Sequence, residues 1–114
     1  MSASRRERAD KVLAVLVERH PLTFFPKDSP DTQPIMRGIY HLIRMRHADL
    51  KSYEVSCFLR IYTGKTRYLR ALTTHPSRID LDGKAVEPIK DSHREHAAAE
   101  LAEREARNAQ RQAA

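Results

Sequence analysis

One cysteine, three glycines and no tryptophan stand among the 114 residues. A lone Cys57 forms no intramolecular disulfide, so nothing points to an oxidising compartment or a cross-linked scaffold. No glycine-rich phosphate loop is present, and neither an HExxH nor a GxSxG pattern occurs. The longest apolar run, Val12 to Val17, is closed by Glu18 and Arg19. It is too short to cross a bilayer or to serve as a secretory h-region. These absences predict a cytoplasmic, soluble chain with no membrane partner and no cofactor, and they give enzymatic activity little support. The length suits one domain of ordinary size and is too small for two independent cores.

What the chain does have is positive charge in one place. Twenty-one Lys and Arg oppose 15 Asp and Glu, a net charge of +6, and the isoelectric point is about 9.8. Between Gln33 and Arg78 lie nine basic residues: Arg37, Arg44, Arg46, Lys51, Arg60, Lys65, Arg67, Arg70 and Arg78. Only Asp49 and Glu54 oppose them there, so this segment carries +7 and the remainder −1. Localised charge of one sign marks an electrostatic footprint for an anionic partner.

Val12, Val15, Leu16 and Arg19 follow helical spacing and predict a first helix from about Ser4 to Arg19, ended by Pro21. Leu22, Phe24 and Phe25 form an apolar knot, and the Pro and Asp content from Pro26 to Asp31 predicts an irregular loop. Pro34 suits the first turn of a second helix with Ile35, Ile39, Leu42 and Ile43 inward; Gly38 inside it implies a close neighbour. Ser52 is expected to cap a third helix holding Val55, Phe58, Leu59 and Tyr62, with Glu54 near its positive end. Thr63 reads as the N-cap of a short fourth helix with Gly64 in its first turn. Ile79 and Leu81 then alternate with Asp80 and Asp82, and Asp82-Gly83 is the preferred pair for a type I′ hairpin turn, with Lys84 to Val86 returning. Ser92 to Glu95 has capping-box spacing and opens an Ala- and Glu-rich helix to about Gln110. Beyond Ile89 its only large aliphatic is Leu101, so the far end is expected to fray. The fold class is mainly α with a small β-hairpin.

Two features invite chemistry and have plainer explanations. His93 and His96, three apart on a helix, suit a metal only if other ligands join them, and none stands at recognisable spacing; no metal site is expected. Cys57 sits among Val55, Phe58 and Leu59 as a small hydrophobe. From Leu59 to Gly83, by contrast, Arg60, Lys65, Arg67, Arg70 and Arg78 are interleaved with Tyr62 and Tyr68. That mixture lets cations hold phosphates while an aromatic face stacks on a base, although a core role for Tyr62 fits as well. A helix starting after Thr63 would add unpaired N–H groups facing an anion or hydroxyl.

At these residues the sequence resembles the FinO/ProQ family of bacterial RNA-binding proteins. The match lies in Leu59-Arg60-Ile61-Tyr62-Thr63, in Arg67-Tyr68-Leu69 and in Arg78-Ile79-Asp80-Leu81-Asp82-Gly83. Weaker similarity reaches back through Pro34 to Ile39 and forward from His93 to Leu101. The resemblance implies a single helical domain with a hairpin and a concave basic face. It further implies an RNA chaperone that grips the base of an intrinsic-terminator stem and holds its 3′ uridine tail, in post-transcriptional regulation by small RNAs. By the resemblance, Tyr68 and Arg78 belong to the RNA face and 3′-end pocket, with Thr63 and Arg67 close by. Arg37, Lys51, Arg60 and Lys65 are added as backbone contacts on charge and placement, and Arg70 as an RNA-binding cation that compensates for departures from the family's pattern. Ser52 departs from the Lys that relatives often carry, Thr73-Thr74-His75 lacks a Lys some relatives have, and Arg70 stands where others place an aromatic. The expected organisation is a monomeric RNA-binding domain over residues 1–102 and a helical tail over 103–114. A competing expectation is a basic module that binds an acidic protein.

Overall fold

The computed structural model describes residues 4–113. Helix α1, Arg5–Arg19, starts where the Ser4 hydroxyl accepts the Glu7 N–H at 3.1 Å, and it buries Ala9, Val12 and Leu16. Three further helices follow, α2 over Ile39–Arg46, α3 over Ser52–Thr63 and α4 over Thr66–Thr74. Strands β1, Ser77–Ile79, and β2, Ala85–Pro88, form an antiparallel hairpin, and α5 runs from Asp91 to Ala113. Helix α1 lies antiparallel along α3, as the pairs Arg5 with Cys57 and Arg8 with Tyr53 show. Helix α4 packs along α5. Cys57 is half-buried, not enclosed, and its thiol faces the Arg5 carbonyl at 3.8 Å.

The core is aromatic at its centre. Phe24, Phe58 and Tyr62 meet pairwise with ring centroids 5.2 to 5.6 Å apart, and Tyr62 continues to Tyr68 at 5.9 Å. Such tilted and edge-on pairs add to the stabilisation from burial alone. Of the apolar knot, Phe24 is fully buried while Leu22 is exposed.

Several local expectations give way to contacts distant in sequence. Pro34 does not open a helix. Its carbonyl accepts the Ile79 N–H at 2.9 Å and the Ile79 carbonyl accepts Met36 N–H at 2.8 Å, so residues 34–36 lie parallel beside β1. Helix α2 therefore begins only at Ile39, after Gly38 in the left-handed region at φ 80°. An added Cβ at Gly38 would meet nothing within 4 Å, so backbone conformation and not a close neighbour explains this glycine. Lys51, not Ser52, occupies the cap position of α3. Helix α5 begins at Asp91, with the Lys90 carbonyl accepting Arg94 N–H at 3.0 Å, so Ser92 lies inside the first turn.

The hairpin turn also differs. Only Gly83 has positive φ, at 79°, whereas a type I′ turn requires it at Asp82 as well. Instead the Asp80 carboxylate accepts the N–H groups of Asp82 and Lys84 at 2.9 and 3.0 Å, and a register shift follows Arg78. Those bonds favour the ionised carboxylate and hold the Asp80 pKa below its usual range. The return strand accordingly runs from Ala85 to Pro88, later than Lys84 to Val86.

A chain of two histidines ties this hairpin to the helices. His20 Nδ1 lies 3.0 Å from the Leu81 carbonyl, His20 Nε2 lies 2.7 Å from His47 Nε2, and Arg19 lies 3.1 Å from His47 Nδ1. A carbonyl only accepts and a guanidinium only donates, which fixes every proton. His20 donates from Nδ1, His47 donates from Nε2 to His20, and Arg19 donates to His47 Nδ1. A second proton on His47 would face Arg19. Burial, then His20 and Arg19, lower its pKa from the ordinary 6.5, against the opposing pull of Asp49. Since the fold favours neutral His47, its contribution to stability is complete above pH 6.5 and is lost as pH falls through the lower folded value. The melting temperature is therefore expected to drop between pH 7.5 and 5.0, and His47→Gln, which cannot charge, should flatten that drop in a calorimetric series.

Candidate nucleic-acid interface

Where α4 leans on α5, a concave groove of about 430 Å³ is lined by Thr63, Gly64, Tyr68, Leu69, Leu72 and Arg78 from one side and by His96, Glu100 and Arg104 from α5. Tyr68 and Arg78 support it from beneath. Tyr68 is 3% exposed and Arg78 9%. The Tyr68 hydroxyl accepts Ile35 N–H at 3.1 Å and Arg78 Nη1 at 3.4 Å, and Arg78 Nη1 also donates to the Ile35 carbonyl at 3.1 Å. Arg78 Nη2 meets His93 Nδ1 at 3.2 Å, which makes that nitrogen the acceptor. Three segments thus converge on one guanidinium carried by β1.

Burial sets the protonation of this junction. It raises the Tyr68 pKa against the opposing effects of Ile35 N–H and Arg78, and it pushes Tyr62 up to about 12. Both phenols keep their protons at neutral pH. Burial, followed by Arg78, Arg37 and Lys90, lowers the His93 pKa, so neutral His93 is the form that suits Arg78. The ring of Tyr68 is too enclosed to present a stacking face to a base; its hydroxyl places Arg78.

Thr63 reaches the groove by another route than the expected cap. It is the last residue of α3, and its hydroxyl donates back to the Leu59 carbonyl at 2.7 Å. Lys65 is the cap residue of α4. The first backbone bond of that helix, Leu69 N–H to the Lys65 carbonyl at 3.0 Å, leaves Thr66, Arg67 and Tyr68 N–H without helical partners. The positive end of α4 therefore lies beside Thr63 and Gly64, as a phosphate or hydroxyl site requires.

Not all expected contacts gather here. Lys65 and Arg67 line a separate depression with Arg6 and Lys27 over Phe58, Tyr62 and Tyr68. Arg60 lines a third with Arg5, Tyr53, Ser56 and Cys57, where Arg8 covers the Tyr53 ring at 5.0 Å. Arg70 is exposed one turn after Arg67 on α4. Arg37 is exposed, and its backbone N–H is bonded to Glu87 at 2.9 Å. Lys51 stands at the opposite end of α3, about 18 Å along the axis from Thr63, and does not line the groove of Thr63 and Arg78.

Reading charge by sequence segment overlooked Arg5 and Arg8, which the antiparallel packing of α1 on α3 carries to the depression of Arg60 and Tyr53; it also overlooked Arg6, which joins Lys65 and Arg67, and Arg104. The latter donates to Thr66 Oγ1 at 3.1 Å from within α5. A signal was available: positions 93, 96, 100 and 104 recur at three and four residues, one stripe of a helix.

Among similar proteins, the RNA chaperone ProQ of Shewanella pealeana (strain ATCC 700345 / ANG-SQ1) is 33% identical over 105 residues, covering 90% of this chain and 49% of that protein. The RNA chaperone ProQ of Idiomarina loihiensis is 32% identical over 107 residues, covering 91% and 50%. The chain spans about half the length of these relatives. A crystal structure of a FinO-like RNA chaperone from Neisseria meningitidis MC58 superposes with a TM-score of 0.72 at 15% identity, covering 97% of this chain and 87% of that one. The solution structure of a ProQ homolog from Legionella pneumophila gives 0.70 at 21% identity, covering 91% and 88%. Both share the helical fold with its hairpin. The family model described as ProQ/FINO matches residues 6–114, and the chain belongs to that family.

Proposed function

We propose that this protein is an RNA-binding chaperone whose groove between α4 and α5 receives the 3′ end of a structured RNA. The preferred RNA is a terminator-like hairpin with a single-stranded U tail, bound by a monomer in the cytoplasm in post-transcriptional regulation by small RNAs. The observation that carries the reading is the buried Ile35–Tyr68–Arg78–His93 junction beneath the open N-terminus of α4. It holds a guanidinium in the lining of one concavity, close to the first turn of α4. The neighbouring depressions with Lys65 and Arg67, and with Arg60, extend positive charge along both sides of α3 for the phosphates of a stem. Arg37, Lys51 and Arg70 are peripheral contacts in this arrangement. The body of the site belongs to residues 1–102, with Arg104 reaching it from the tail segment.

The test is competition for a labelled hairpin bearing a 3′ tail, with unlabelled hairpin, duplex DNA and an acidic polypeptide as competitors across ionic strength. The hairpin should win. If four to six cations meet phosphates, log K should fall against log salt with a slope of about −3 to −5. A slope near zero, or better competition by the polypeptide, would reject the reading.

A further inference from the structure

Helix α5 continues past the end of α4. Arg94 Nη1 donates to the Leu72 carbonyl at 3.2 Å and Arg104 Nη1 to Thr66 Oγ1 at 3.1 Å, so α5 runs antiparallel to α4 and meets its first residue at Arg104. From there the helix extends to Ala113. No large apolar side chain follows Leu101, and residues 105–113 are exposed, so this end buries nothing in the core. What it presents is charge, and the charge is sorted. Arg104, Arg107 and Arg111 stand three and four positions apart, within an arc of about 60° on the helix surface, and Glu103 and Glu105 fall on either side of that arc. The arc prolongs the stripe of His96 and Glu100 that lines the groove. Arg107 and Arg111 lie about 4.5 and 10.5 Å beyond Arg104 along the axis.

Glu100 organises the start of this line. Its Oε1 accepts Arg104 Nε at 3.0 Å and Arg107 Nη2 at 3.5 Å. One oxygen thus orients two guanidiniums and leaves most of their N–H donors free. The Arg107 side chain is 53% exposed. An anionic strand that passes the first turn of α4 meets these cations next, and the overhang offers no aromatic or large apolar surface to a base or a hydrophobic peptide. That chemistry suits a repeating anion. A single ion pair on an exposed face is weak, whereas successive phosphates of one strand engage successive side chains and release their counterions together. We propose that the overhanging end of α5 is a phosphate rail, on which Arg107 and Arg111 hold the RNA backbone outside the groove. The inference rests on the RNA-binding reading above and concerns backbone phosphates, whether of the stem or of the single-stranded tail.

The experiment follows the anisotropy of three labelled RNAs across ionic strength: a hairpin with its tail, the blunt hairpin, and the tail oligonucleotide. Four variants of the full chain are compared with the wild type. The first is Arg107→Gln with Arg111→Gln. The second adds Ala106→Arg and Ala109→Arg to that pair, which restores the net charge on the far side of the helix. The third, Lys11→Gln with Lys84→Gln, removes two exposed cations away from the proposed RNA surface. The fourth is Arg78→Ala. Glutamine and arginine are good helix formers, so α5 keeps its helix, which circular dichroism checks. The first variant should weaken binding of the tailed hairpin by about three- to tenfold and make the salt slope shallower by about 1.8, two contacts at about 0.9 each. The second should not recover, because its new charges lie off the stripe, and the third should leave the slope within about 0.5 of the wild type. The loss should persist with the blunt hairpin or with the tail alone, and the RNA that shows it supplies the phosphates. An unchanged slope in the first variant, recovery in the second, an equal loss in the third, or a loss with neither shorter RNA overturns the proposal. If Arg78→Ala weakens binding while the first variant changes nothing, the RNA-binding reading stands and the rail falls. If Arg78→Ala is also without effect, the RNA-binding reading fails and the rail with it.

Discussion

Tyr68→Ala is expected to destabilise the fold by about 3–5 kcal/mol, the range for removing a buried aromatic ring. The ring touches Tyr62 at the end of the aromatic core, and the hydroxyl holds both a buried backbone N–H and Arg78. Tyr68→Phe divides these roles. It keeps the ring and leaves Ile35 N–H without its acceptor, a cost of about 1–3 kcal/mol. Urea denaturation of both variants measures the stability terms, and anisotropy on the folded proteins measures RNA binding. Tyr68→Phe should bind RNA several-fold more weakly, because Arg78 loses one of its positioning partners. A loss below about 1 kcal/mol for Tyr68→Ala would show that the ring does not support the core.

Arg78→Ala is expected to weaken RNA binding by one to two decades, about 1.4–2.8 kcal/mol, as for removal of a charge-assisted hydrogen bond. The same change should lower stability by about 2–3 kcal/mol, since the Ile35 carbonyl and the Tyr68 hydroxyl both lose a charged donor. Arg78→Lys should not restore binding: a single ammonium cannot reproduce the planar fork that reaches Ile35, Tyr68 and His93 together. The double variant Tyr68→Phe with Arg78→Ala should cost less affinity than the two losses added, because the residues share one network. Full additivity would mean that they act apart.

Much of this architecture was legible in the sequence because its cause is local. The apolar stripes of α1 and α3 follow from side chains three and four positions apart. What escaped local reading was decided by partners far along the chain. Pro34 has the chemistry of a helix start, yet the strand-like pairing with Ile79 takes its segment elsewhere. Thr63 has the chemistry of an N-cap, yet its hydroxyl turns back to Leu59 and Lys65 takes that place. Tyr68 and Arg78 were identifiable as a pair, but their burial beneath the groove follows from Ile35 and His93, which only the fold brings to them. The stripe on α5 was visible as spacing; its significance depends on α4 lying opposite.

The parallel run of residues 34–36 also bears on self-association. It covers one side of β1, while β2 pairs on the other, so the ladder edge exposed among the described residues is that of β2. That edge is four residues long and ends in Pro88, which has no N–H to donate. The adjacent register shift interrupts a straight template. A short, proline-ended edge resists strand addition. The hairpin that carries Arg78 can therefore sit at the surface, with Val86 exposed, without becoming a seed for edge-to-edge aggregation.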